Sequence, residues 1–219
     1  MPDGPDLVIF DFDGTLADTW RDLATALNRT LREAGFAEAS GPQVREWIGE
    51  GLARLLERAW PADVRPAERF EAMRAHLSHH YERCCLDTTT LCPGVAECLM
   101  RLERYPLAVL SNKPEAMLER MLGGLGIAHH FRAVIGGDSL PVRKPDPAVV
   151  QHVVTAVGIR PRQVWMVGDS ALDVATGRAA GARTIGCTWG LRDRRELRAA
   201  QAEFLVDHPS EIPELIARR

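Results

Sequence analysis

Lysine is nearly absent from this chain: of its 27 basic residues only Lys113 and Lys144 are lysine, and every other one is arginine. Both lysines precede a proline and both follow apolar, strand-like runs. A chain that uses arginine for almost every positive charge keeps lysine where a compact ammonium is needed and a broad guanidinium would not fit. Long apolar runs are also missing. None approaches the ~20 residues that a bilayer-spanning helix requires, and Met1-Pro2-Asp3 opens without a basic leader, so neither export nor a membrane span is expected and the location should be cytoplasmic. The formal net charge of -3 gives no sign of a nucleic-acid partner. The five cysteines (Cys84, Cys85, Cys92, Cys98, Cys187) fall in no metal-ligand spacing, so they are expected to be structural thiols and zinc is not.

With 219 residues, 46% of them hydrophobic, the chain can hold one domain or one and a half around a sizeable core. The organising stretch is Leu7-Val8-Ile9-Phe10-Asp11-Phe12-Asp13-Gly14-Thr15. Four apolar residues read as a buried strand, and two carboxylates and a glycine follow at once. Side chains two apart on an extended chain share a face, so Asp11 and Asp13 leave the strand end pointing into the same space. Carboxylates crowded there repel, which favours a bound cation or a shared proton. Asp-Gly by itself is a turn signal, and the rest of the chain decides between the two.

Asp18 or Thr19 can cap a helix to about Ala34, with Trp20, Leu23, Leu27 and Leu31 on one stripe and Gly35 just beyond. Helical patterns continue through Val44 to Ile48, Leu52 to Ala59, and from Pro66 to about Cys85. A strand, a helical excursion and then more strands predict a helical subdomain inserted into an α/β domain. After Pro93-Gly94, strands at Leu107–Leu110, Ala133–Ile135, Val164–Val167, Thr184–Cys187 and Phe204–Val206 alternate with helices. Short apolar strands in alternation with helices predict a doubly wound parallel sheet, a Rossmann-like α/β core.

Such sheets bind ligands beyond the carboxyl ends of their strands. Strand ends here carry Asp11 and Asp13, then Ser111-Asn112-Lys113, then Gly168-Asp169-Ser170 with Asp173, and the Lys144-Pro145 loop is expected at the same edge. Hard oxygen ligands without histidine or thiolate argue for Mg2+. A phosphate monoester suits the set. Mg2+ and Lys144 would offset its charge, Ser111, Asn112 and the N–H groups of the Gly14 turn would hold its oxygens, and one carboxylate would attack phosphorus while the other protonates the leaving alcohol. Each piece alone has a plain structural reading: Ser111-Asn112 as a turn, Gly168-Asp169-Ser170 as a helix cap with Asp173 in the first turn. Their order at successive strand ends favours the site.

The motifs Asp11-Phe12-Asp13-Gly14-Thr15, Ser111-Asn112, Lys144-Pro145 and Gly168-Asp169-Ser170 with Asp173 resemble those of the haloacid dehalogenase superfamily, over essentially the whole chain. The resemblance implies that Asp11 is the nucleophile, Asp13 the general acid and base, and Ser111 and Lys144 catalytic phosphate holders. It also implies metal ligation by Asp11, Asp13 (through its carbonyl) and Asp169, with Asp173 supporting, and substrate contacts at Gly14, Thr15, Asn112 and Lys113. The helical stretch 19–88 is similar to the superfamily's small cap, leaving 1–18 and 89–219 as the catalytic core. Within the superfamily, Trp47-Ile48-Gly49-Glu50-Gly51, Asn112-Lys113-Pro114, Ile135-Gly136-Gly137-Asp138 and Trp189-Gly190 resemble bacterial phosphoglycolate phosphatases. Cys92 stands where that group favours an aromatic residue, and Ser111 where threonine is commoner. Gly51-Leu52-Ala53-Arg54 is similar to the cap arginine motif of β-phosphoglucomutases, and a cap cation at Arg54 would suit the carboxylate of phosphoglycolate.

The expected activity is thus Mg2+-dependent hydrolysis of a small phosphorylated metabolite, 2-phosphoglycolate first, through an aspartyl-phosphate, by a monomer or homodimer. Sugar phosphates, nucleotides, pyrophosphate and a mutase reaction use the same core. A dehalogenase is disfavoured because Asp13 would have no leaving alcohol to protonate. A non-enzymatic module predicts loss of Asp11, Asp13, Lys144 or Asp169, and all are present. Arg192 to Arg198, with interleaved acids, reads as a solvated helix face. His79-His80 and His129-His130 read as surface or packing residues.

Overall fold

The computed structural model describes residues 6–60 and 66–218. The expectation drawn from Met1-Pro2-Asp3 lies outside them. The chain divides into two compact units, Met1–Asp18 with Leu91–Arg219 and Thr19–Thr90.

The first unit holds β1 (Leu7–Phe10), the two-residue β2 (Ala17–Asp18), α5 (Val95–Arg101), β4 (Leu107–Leu110), α6 (Glu115–Gly124), β5 (Phe131–Ile135) and α7 (Ala148–Val157). It continues through β6 (Val164–Gly168), α8 (Ala171–Ala179), β7 (Arg183–Cys187), α9 (Arg194–Ala199), β8 (Phe204–Val206) and α10 (Glu211–Ala217). Six strands form one sheet in the order β5-β4-β1-β6-β7-β8, and each neighbouring pair is parallel. Parallel strands need covered faces, and the residues supply them. Leu7 and Ile9 of β1, Ala108 and Leu110 of β4 and Met166 of β6 pack against Val149, Val150 and Val153 of α7. The alternate set, Val8, Phe10, Val109, Trp165 and Val167, is equally buried on the other face. Every strand except the two-residue ones and every helix except α10 was legible as a pattern, to within a few residues at its ends. β2 offers only two residues of pattern, and α10 is short and carries Pro213 inside its span.

The second unit is helical: α1 (Trp20–Glu33), α2 (Gly41–Trp47), α3 (Leu52–Ala59) and α4 (Ala67–Cys84); β3 (Thr90–Leu91) follows where the chain leaves it. Leu23, Leu27 and Leu31 of the expected stripe are buried with Leu77 and Tyr81 of α4. Thr19 occupies the cap position of α1, but its side chain makes no capping bond. Trp60 is fully buried beside Phe36 and Phe70. Asp22, also buried, accepts from the N–H and hydroxyl of both Thr88 and Thr89, tying the first turn of the unit to its last residues. His80 is buried and bonds Glu33 across α4 and α1 at 2.8 Å, a packing role. Among the described residues no helix is long and apolar enough to cross a membrane.

Candidate active site

β1 ends by donating the Asp11 N–H to Val167 O at 2.9 Å, which sets Asp11 beside the end of β6. The chain then turns at Gly14, whose φ of +80° suits glycine and whose N–H bonds Ala17 O. A Cβ at Gly14 would also stand 2.3 Å from Asp169 Oδ2, so the residue makes room as well as the turn. Gly168 and Gly190 do the same. A Cβ on Gly168 would fall 2.3 Å from Asp173, and one on Gly190 2.3 Å from Asp169.

These close approaches let Asp11, Asp169 and Asp173 each bring an oxygen within 4.8 Å of the others, all three buried. Lys144 enters from its loop with Nζ 2.7 Å from Asp11 Oδ1 and 2.6 Å from Asp173 Oδ1. Asp173 Oδ2 accepts from the Ser170 N–H and hydroxyl, and the Ser170 hydroxyl accepts from the Asp173 N–H in return, capping α8. The cap reading of this segment holds, and the same Asp173 also stands in the carboxylate group. Asp169 Oδ2 accepts from the Leu191 N–H at 2.5 Å.

Electrostatics follow from burial. Burial first, then the neighbouring Asp173, pushes the Asp11 carboxyl up to about 7, with Lys144 pulling the other way and Asp13 adding to the rise. Burial, Asp173 and Asp11 also hold Asp169 well above the ordinary carboxylate range. For Lys144 burial opposes the charge, but paired Asp11 and Asp173 outweigh it and hold the ammonium above the usual lysine value.

Asp13 has its Oδ1 3.2 Å from Lys113 Nζ, and its charge still reaches Asp11. Asp11 and Asp13 thus contact different ammoniums, Lys144 (shared with Asp173) and Lys113. Ser111, at the end of β4, donates its N–H to Ile135 O and accepts from the Lys113 N–H at 3.4 Å. Asn112, expected on phosphate, accepts from the Lys144 N–H at 3.1 Å and donates to Lys144 O at 3.5 Å, so it fastens the lysine loop to the strand end. Among the described residues the buried Thr15 hydroxyl has no hydrogen-bond partner, and Thr15 O accepts from Trp189 Nε1 at 3.1 Å. Trp189 thus steadies the turn after Asp13, a contact that the sequence pattern did not give. Arg54 lies in the helical unit, 60% exposed and paired with Glu57 at 2.5 Å. Among the described residues the five cysteines form no disulfide, and burial pushes Cys92 up to about 12. In the arginine-rich run, expected as a solvated helix face, Asp193 caps α9 and Leu197 is fully buried.

A parallel sheet with buried carboxylates and lysines gathered at the carboxyl ends of its strands defines an α/β enzyme. The sequence pattern of the haloacid dehalogenase-like hydrolases matches residues 8–187. The chain is 37% identical over 210 residues to the phosphoglycolate phosphatase of Pseudomonas putida, covering 93% of this chain and 76% of that protein. It is 36% identical over 215 residues to the phosphoglycolate phosphatase of Chromobacterium violaceum, covering 95% of each. A crystal structure described as a predicted phosphoglycolate phosphatase from Haemophilus somnus superposes with a TM-score of 0.88 at 31% identity, over 95% of this chain and 96% of that one. The chain belongs to the haloacid dehalogenase-like hydrolases.

Proposed function

We propose that this hydrolase is a Mg2+-dependent phosphatase acting on 2-phosphoglycolate through an aspartyl-phosphate. The observation that carries the chemistry is the buried group of Asp11, Asp169 and Asp173 within 4.8 Å, bridged by Lys144. Its donors are all oxygens, which suits Mg2+. Four carboxyls, with Asp13, face two ammoniums, an excess of negative charge that a divalent cation would offset. Asp11, Asp169 and Asp13 would hold the ion, with Asp173 in support. Bound there, Mg2+ supplies positive charge beside the phosphoryl oxygens.

The residues of the chain divide the remaining work. Lys144 and the Ser111 hydroxyl would hold the phosphoryl group, and the orphaned Thr15 hydroxyl fits a place where a ligand completes the hydrogen bonding. An Asp11 oxygen attacks phosphorus, the bond from phosphorus to the alcohol oxygen breaks, and Asp13 gives that oxygen its proton. Asp13 then takes a proton from water as the water attacks the aspartyl-phosphate, returning inorganic phosphate and free Asp11. The separate ammonium beside each carboxylate supports a division of labour between nucleophile and acid. The helical unit would serve as a cap that excludes water. The substrate comes from the relatives, several of which carry phosphoglycolate phosphatase as their name.

Mg2+-dependent phosphate release across phosphoglycolate, glucose 1-phosphate, other sugar phosphates, nucleotides and pyrophosphate tests this, with Asp11→Asn as the blank. A kcat/KM for phosphoglycolate well above the rest is expected. A flat or sugar-favouring profile would remove the substrate, and release from none would remove the activity.

A further inference from the structure

Lys113 is the other of the chain's two lysines, and its side chain is 3% exposed with Nζ 3.2 Å from Asp13 Oδ1. Its backbone is held from two sides. Gly137 donates to Lys113 O at 2.8 Å, and the Lys113 N–H points to Ser111 Oγ. A Cβ on Gly137 would lie 2.4 Å from Asn112 O, so the Gly136-Gly137 pair lets the exit of β5 press against the Ser111–Lys113 segment. Burying an ammonium is costly, and this chain meets nearly every other need for positive charge with arginine.

The acid that Lys113 contacts serves the leaving alcohol in the reading above, on which this inference rests. In 2-phosphoglycolate only two covalent bonds separate the bridging oxygen from the carboxylate carbon. A cation touching Asp13 is therefore placed next to the carboxylate of that leaving group. An ammonium has three N–H bonds and can serve two carboxylates at once. Arg54, the other cation considered for this role, is mostly exposed and engaged by Glu57. We propose that Lys113 recognises the carboxylate of the leaving alcohol, so that preference for a short acidic alcohol is set inside the α/β unit.

The experiment compares kcat/KM for 2-phosphoglycolate with that for ethyl phosphate, the same ester without the carboxylate, at saturating Mg2+ in wild type, Lys113→Met and Arg54→Ala. Wild type should favour phosphoglycolate. In Lys113→Met that preference should shrink by about 30-fold or more, mainly through KM, since a buried charge contact is lost for one substrate alone. Arg54→Ala should keep it. Equal losses on both substrates would make Lys113 a positioning residue for Asp13 and overturn the proposal, as would a preference lost in Arg54→Ala but kept in Lys113→Met. If Lys113→Met melts below the assay temperature, Lys113→Gln is judged by the same ratio. A wild type that does not favour phosphoglycolate overturns the substrate itself, an outcome separate from failure at Lys113.

Discussion

The ammonium of Lys144 lies 2.6 Å from the carboxylate of Asp173, and both side chains are almost wholly buried. Lys144 is also the cation between Asp173 and Asp11. Its removal would leave Asp11, Asp169 and Asp173 facing one another. Lys144→Met is expected to lower the stability of the metal-free chain by about 3–5 kcal/mol, the cost of breaking a buried pair by taking one partner. Mg2+ should narrow the gap. Urea unfolding with EDTA and with Mg2+ measures both, and an unchanged midpoint in EDTA would contradict the account.

Asp11 supplies a pH dependence with a definite sign. Its folded carboxyl titrates near 7 because of burial and then Asp173, while an unfolded aspartate titrates at about 4. Between those values the folded chain keeps a proton that the unfolded chain has released. Stability therefore falls as pH rises through this window, and the loss is complete above it. In EDTA the urea midpoint should be lower at pH 8 than at pH 5, and Asp11→Asn should reduce that difference. A wild-type midpoint that rises instead would refute the sign.

The same Asp11→Asn substitution removes the nucleophile at nearly constant volume. Turnover should drop by at least about 10^4-fold, with the circular dichroism spectrum unchanged. Substantial residual phosphatase activity would take the nucleophile role away from Asp11.

Gly190→Ala tests the space around Asp169. The added carbon would sit 2.3 Å from that side chain, so the carboxylate must move. A shift of this size is expected to cost about 10²-fold in kcat/KM and to raise the Mg2+ concentration needed for half-maximal rate. Rates and Mg2+ dependence equal to wild type would show that Asp169 tolerates displacement.

How much of this was legible depended on whether the signal was local. Asp11, Asp13 and Gly14 follow a buried strand without a gap, and the valines of α7 repeat on one face, so both could be read from a few neighbouring residues. The bond from Asn112 to the Lys144 backbone and the contact between Lys113 and Asp13 join distant segments, and the strand order β5-β4-β1-β6 brings them together. No periodicity encodes such pairings. Asp22 was unreadable for another reason. A lone acid in the first turn of a helix looks like any dipole-favoured carboxylate, and only the structure reveals that Thr88 and Thr89 donate to it.

Asp22→Ala should therefore destabilise the chain by about 3 kcal/mol, because buried N–H and hydroxyl donors lose a charged acceptor. Thermal unfolding monitored by tryptophan fluorescence would register the loss. A surface-like effect of a few tenths would show that Thr88 and Thr89 find other partners.

The clasp of Asp22 on Thr88 and Thr89 bears on how such a chain can be assembled from parts. A segment whose first turn is bonded to its own last residues presents short, fixed ends to whatever flanks it. The entropy of closing the loop grows only with the logarithm of its length and is met inside the segment itself. The sequence before Thr19 and after Thr90 can then form its sheet with little regard to what has been spliced between them. Inserts of other lengths and shapes, fastened at their own base in the same way, could be exchanged at this junction, leaving the host strands unaltered.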